Sequence, residues 1–360
     1  MDNTYLLRQD FSFCPPCGTM KKNGLAVCAE LKLVLSNISD RGEKMMAFEI
    51  CGIRTEPGER YQGYIAGPDG VKNIPIVIVN GRQEGSTVLL TAGVHACEYP
   101  GAAALMELMV QLTPEQVRGQ LVMLPMLNMD SFFDRIPFVV KRDGKNLNRE
   151  FPGDPQGSFC QQLADLVHRE LHAKADYYID IHSGDVCEMV TPFVYYPVNT
   201  APEVTAQAVR MCQAMRVPYR AASRSTNGSY GSAAAAGVPS ILIEQGGRCG
   251  YTLAERDAYL ADLRSILVEL GTLEGELRFN AEQTDVTRSF YIDVEADGCW
   301  KPMVGAGDRF HRGDLLGIVT DFFGKELQRV TAECDGVVLY LTVSLAVRAD
   351  EPLIAYGEVL

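Results

Sequence analysis

From residue 48 onward the chain alternates short apolar runs with stretches of helical spacing, and no other feature of its 360 residues limits the fold as strongly. Segments 74–79, 87–92, 120–127, 177–181, 193–196 and 240–244 read as strands, most of them apolar on both faces. A strand with no polar face has to be covered on both sides, as inside a sheet sandwiched between helices. Segments 102–112, 158–173, 204–215 and 253–270 carry apolar residues three and four apart, the stripe of a helix that packs on one side. The expectation is an α/β fold with a mixed, mostly parallel sheet flanked by helices. After about residue 285 helical spacing stops. Turns at Gly307-Asp308, Gly313-Asp314 and Asp335-Gly336 then separate short strand-like runs, which predicts a C-terminal all-β domain. Residues 1–45 stand apart, with one strand-like run at 25–35 between breaks. The expected division is an N-terminal extension over 1–45, an α/β domain over 46–284 and a β domain over 285–360.

Composition narrows the class of partner. A net charge of −13 argues against a general nucleic-acid binder, which needs a basic face for the phosphates. It does not argue against a small-molecule substrate, because a pocket can be basic on an acidic protein. No apolar run reaches membrane-spanning length. The eleven cysteines are scattered and odd in number, and the pair Cys14 and Cys17 has no second pair at zinc-ribbon spacing. Together with the absence of a signal pattern, this reads as reduced thiols in a cytoplasmic protein. A homo-oligomer is compatible with all of this.

Four segments carry chemistry. In Gly93-Val94-His95-Ala96-Cys97-Glu98, an imidazole and a carboxylate stand three apart just after a strand and before a helix. That places them at the edge of the sheet where ligands bind. In Asp180-Ile181-His182-Ser183-Gly184 a second histidine ends a buried strand; the chain has only five histidines. Two histidines and a carboxylate are a common ligand set for catalytic zinc, with a position left open. Asn146-Leu147-Asn148-Arg149 offers an amide donor and a guanidinium fork for a carboxylate. Ile243-Glu244 ends an apolar strand in a carboxylate, a costly position unless the group has a task, and one that raises its pKa toward the range useful for proton transfer. His168 and His172 stand four apart on an expected helix, but without the glutamate of a helical zinc motif, so they read as a solvated helix face. His311 reads as a surface residue in a turn.

In this order the segments resemble the succinylglutamate desuccinylase/aspartoacylase family of the zinc carboxypeptidase superfamily, over residues 46–360. The resemblance implies a carboxypeptidase-like catalytic domain and a C-terminal domain of barrel-sandwich character, which Gly298-Cys299-Trp300 fits. It implies zinc held by His95, Glu98 and His182, Glu244 as general base and acid, and Asn148 and Arg149 as the clamp for a substrate carboxylate. It also implies an arginine upstream of the clamp that polarises the scissile carbonyl. Arg135 matches the pattern of near relatives better, and Arg142 stands closer to the clamp. Asn146 stands where many relatives carry an aspartate that supports a zinc histidine.

The activity so implied is zinc-dependent hydrolysis of the amide of an N-acyl amino acid or a similar small amide. A metallocarboxypeptidase acting on peptides would use the same groups. A non-catalytic binding protein on the same fold is the third reading, and the presence of all three ligands and the base speaks against it.

Overall fold

The computed structural model describes residues 47–277 and 279–359. The strand expected at 25–35 and the Cys14/Cys17 pair lie outside those residues. Four of the apolar runs form adjacent parallel strands at the centre of a sheet that has 13 strands among the described residues, in the order Ser240–Gly247, Tyr177–His182, Gln83–Ala92 and Arg118–Leu124. Because side chains alternate along a strand, each contributes to two cores. Val88, Leu90, Ile179, Ile181, Ile241 and Ile243 point to one face. Leu89, Val122, Tyr178 and Leu242 point to the other.

Helices Tyr99–Gln111, Pro202–Gln213 and Leu253–Glu269 cover the first face with Leu105, Leu108, Met211, Leu263 and Ile266. Helices Phe159–Leu166 and Ser229–Ala235 cover the second with Leu163, Tyr230 and Ala233. The helix expected over 158–173 starts at a capping box formed by Ser158 and Gln161, then widens to a π turn at Val167–Leu171 and ends in a 3-10 turn at His172–Lys174.

Outside the centre the sheet departs from the mostly parallel expectation. Lys72–Asn80 and Arg60–Ala66 add antiparallel strands at one side. Glu188–Pro197, Gly336–Thr342, Pro352–Glu358 and Arg288–Asp293 add antiparallel strands at the other. The reason is connection length: the link between Arg60–Ala66 and Lys72–Asn80 is a short turn, whereas a parallel return needs a dozen or more residues. Among the described residues, parallel pairing resumes only in a branch where Tyr219–Ser223 joins Glu188–Pro197 and Thr284–Val286 joins Tyr219–Ser223.

Among the described residues, every regular element after residue 283 is a strand. Some of these strands complete the large sheet. Glu326–Thr331, Leu315–Thr320, Gly298–Pro302 and Ala346–Val347 form a separate four-stranded sheet over a third core that contains Trp300, Leu316, Val319 and Tyr356. Among the described residues no helix is long and apolar enough to cross a membrane.

Candidate active site

Parallel register brings three strand ends together. Ala92 lies opposite Ile181, and His182 lies opposite Glu244. Beyond Ala92 the chain turns at Gly93, where φ is +68° and a Cβ would fall 2.3 Å from the Met126 sulfur. Only glycine accepts that turn without strain. It delivers His95 to the sheet edge and leads to Glu98 at the N-cap of Tyr99–Gln111, whose first turn holds Pro100.

His95 Nδ1 lies 2.6 Å from Glu98 Oε1, and His182 Nδ1 lies 2.9 Å from Glu98 Oε2. The Ser183 N–H also donates to Glu98 Oε2, at 3.1 Å. All three side chains are buried, and one ligand atom from each lies within 4.8 Å of the others. The far nitrogen of each ring faces an outer acceptor: His95 Nε2 is within hydrogen-bond distance of Asn146 Oδ1, at 3.0 Å, and His182 Nε2 makes a charge contact with Asp180 Oδ1 at 3.3 Å without hydrogen-bond geometry. A proton kept on Nε2 by that acceptor leaves the Nδ1 lone pair directed inward. Two inward imidazoles and a carboxylate with further positions open form the donor set of a catalytic zinc site, so these residues fit the ion.

The three groups are also coupled through their charges. Burial works against charge on His95, but the Glu98 carboxylate outweighs it and raises its pKa. Burial likewise opposes charge on His182, and Asp180 and Glu98 together raise it well above the usual range. Burial would raise the Glu98 carboxyl, yet the two histidines hold it down at about 2. Each of the three groups is thus favoured in its charged form by the others.

Glu244 faces the same space from the neighbouring strand. Its Oε2 is shielded from solvent and has no hydrogen-bond partner among the described residues. Burial, reinforced by the charge of Glu98, pushes its pKa well above the usual carboxylate range. These four groups open on a cavity of about 700 Å³ that Asn148 and Arg149 also line. Asn148 Oδ1 accepts the Ser229 N–H at 2.9 Å, so its amide nitrogen remains as the donor toward a ligand. Arg149 donates to the Asn148 carbonyl at 3.2 Å and makes no ion pair among the described residues. Its charge is open to an incoming carboxylate.

The two candidate carbonyl-polarising arginines are elsewhere. The Arg142 guanidinium pairs with Asp69 at 2.8 Å and Asp130 at 3.0 Å and lies over the Phe159 ring, outside the cavity lining. Arg135 is exposed in a loop at φ +54° and does not line the cavity either. The reading of His168 and His172 as a solvated face also needs correction. The π turn rotates His172 inward, where it is 1% exposed and sits between Phe151 and Tyr178. His311 is 88% exposed along its side chain, as expected of a turn residue.

Other groups at the site escaped sequence reasoning. Asp180 stands two residues before His182 and so on the same strand face, a signal that alternation alone could have supplied. Glu188, Arg288, Tyr291 and Tyr340 line the cavity from segments with no local motif.

The model of the succinylglutamate desuccinylase/aspartoacylase catalytic domain matches residues 84–267. An N-alpha-acetyl-L-2,4-diaminobutyric acid deacetylase of Halomonas elongata is 30% identical over 302 residues, spanning 81% of this chain and 87% of that protein. A solved succinylglutamate desuccinylase/aspartoacylase from Rhodobacter sphaeroides is similar with 26% identity and a TM-score of 0.74, covering 84% of this chain and 95% of the other. The apo structure of an ectoine utilization protein from Ruegeria pomeroyi is similar with 27% identity and a TM-score of 0.71, covering 84% and 98%.

Proposed function

The chain belongs to the succinylglutamate desuccinylase/aspartoacylase family, and from that premise we propose that it is a zinc-dependent deacylase that hydrolyses the amide of a small N-acyl amino acid. The observation that carries this reading is the convergence of His95 Nδ1, Glu98 and His182 Nδ1 beside the unpartnered carboxylate of Glu244. In this reading His95, Glu98 and His182 hold the zinc. Bound zinc would supply Lewis acidity, lowering the pKa of a water and polarising the acyl carbonyl. Glu244 takes the proton of the attacking water and passes it to the leaving nitrogen, and its raised basicity suits both transfers. The Asn148 amide and the Arg149 fork hold the substrate carboxylate and so fix which amide reaches Glu244. We assign neither Arg135 nor Arg142 to the acyl oxygen.

We read residues 285–360 as a barrel-sandwich-like module that serves the site as a wall. Arg288, Tyr291 and Tyr340 on the cavity lining support that role. A wall there leaves space for an acyl amino acid and obstructs a peptide, which favours a deacylase over a carboxypeptidase. The relative from Halomonas elongata makes N-alpha-acetyl-L-2,4-diaminobutyric acid the first substrate to try.

The test is metal analysis of the chain reconstituted with zinc, followed by amine release from a panel of N-acetyl amino acids and blocked di- and tripeptides. About one zinc per chain and a higher kcat/KM on acetyl amino acids are expected. A well-folded chain that takes up no zinc would sink the reading, and equal or faster cleavage of the peptides would move it to the carboxypeptidase.

A further inference from the structure

Behind the cavity, on the side covered by helix Ser229–Ala235, lies a polar chain that the reaction outlined above does not use. Thr91, Tyr178, Asp180, Ser229 and His172 are each at most 1% exposed. The Tyr178 hydroxyl is 2.6 Å from Thr91 Oγ1 and 2.5 Å from Ser229 Oγ. Thr91 Oγ1 donates on to Asp180 Oδ1 at 3.4 Å, and the same Asp180 oxygen faces His182 Nε2. In the other direction Ser229 Oγ is 3.4 Å from His172 Nε2, while the Ser229 backbone N–H holds Asn148 Oδ1. We propose that Tyr178 is a positioning residue that ties the support of the His182 ligand, through Thr91 and Asp180, to the carboxylate clamp, through Ser229 and Asn148.

The direction of the chain follows from its end. A carboxylate only accepts, so Thr91 donates to Asp180, Tyr178 donates to Thr91, Ser229 donates to Tyr178 and His172 donates to Ser229. Each hydroxyl thereby has one role in each direction, and the bonds reinforce one another. A phenol buried this deeply is costly unless its hydroxyl is paired, and a phenylalanine would fill the same apolar position. From that hydroxyl, Thr91 leads to one half of the site and Ser229 to the other. Gly228 tightens the second half: its φ is +78°, and a Cβ there would fall 2.9 Å from Asn148 Oδ1, so the segment before Ser229 runs directly against the clamp.

This inference rests on the zinc deacylase reading, and its test separates the two. Tyr178→Phe removes the hub, and Ser229→Ala removes one spoke with less risk to folding. For both variants and the parent, zinc affinity is measured by chelator competition without substrate. KM for an N-acetyl amino acid is measured at saturating zinc, and the melting temperature is recorded. The expectation is a zinc dissociation constant about three- to tenfold weaker for Tyr178→Phe, below the roughly 10–100-fold that loss of a partner bonded directly to a ligand costs. KM should also rise by about threefold or more. Zinc affinity and KM both within about twofold of the parent, with only the melting temperature lowered, would reduce the chain to a structural network and overturn the proposal. A parent that binds no zinc would defeat the deacylase reading and this coupling together, and would show it before any variant is made.

Discussion

A carboxylate at the end of an apolar strand is expensive to leave without a partner, and Glu244 Oε2 has none among the described residues. In the proposed reaction that cost is offset by proton transfer. Glu244→Gln keeps shape and volume but cannot take the proton. Turnover should fall by about 10²–10⁴-fold while zinc content stays that of the parent. Near-parental turnover with full zinc would place the base elsewhere. At this scale the sequence was informative wherever a residue was anchored to the end of a strand. His95, Glu98, His182 and Glu244 could be grouped because the apolar runs located three strand ends and parallel register sets them side by side. Arg135 and Arg142 had no such anchor. They sit in an irregular loop, and ion pairs with Asp69 and Asp130, distant in sequence or separated by a turn, decide where Arg142 points.

Elements decide how closely the clamp is held. Gly228 has φ +78° and ψ 166° just before helix Ser229–Ala235, a backbone region essentially reserved for glycine. Any Cβ there would also press on the Asn148 amide oxygen. Gly228→Ala should therefore cost about 1–3 kcal/mol in urea unfolding. By displacing Asn148 it should also raise KM for carboxylate-bearing substrates more than it lowers kcat. A stability loss with KM unchanged would mean that the clamp does not depend on this approach. Strands and helices with strong periodicity could be read from the residues alone, including most of the central sheet. Arg60–Ala66 and Tyr219–Ser223 could not, because each is partly exposed and mixes polar with apolar positions. The segment 158–173 was legible as a helix but not as one that widens at Val167, since a π turn changes which face a residue shows without changing its spacing in sequence.

On the scale of the whole molecule, the least legible feature was how the last strands join the first. Gly336–Thr342 pairs with Glu188–Pro197, a contact between segments some 150 residues apart that no local pattern encodes. It is this joining that puts Tyr340 on the cavity lining. The interior around His172 is closed by Phe151, Tyr178 and Ser229, segments far apart in the chain, and that has a consequence for stability in acid. Burial, with the nearby His168 adding to it, pushes His172 down to about 3. In the unfolded chain a histidine titrates near about 6.5. Between about pH 6.5 and 3 the unfolded chain therefore binds a proton that the folded chain refuses. The stability attached to this group is complete above that window and is lost as pH falls through it, at up to about 1.4 kcal/mol per pH unit. His172→Phe removes the titration while filling the space between Phe151 and Tyr178, and the hydrogen bonds it gives up are both long, at 3.4 Å. Carboxylates, which give the chain its net charge of −13, titrate in parent and variant alike and cancel in the difference. The parent's unfolding free energy, measured against that of His172→Phe, should thus drop by about 2 kcal/mol on going from pH 7.5 to pH 5. A difference that stays constant over that range would mean that His172 accepts its proton inside the fold, and the buried chain behind the cavity would then have to tolerate a charge at its far end.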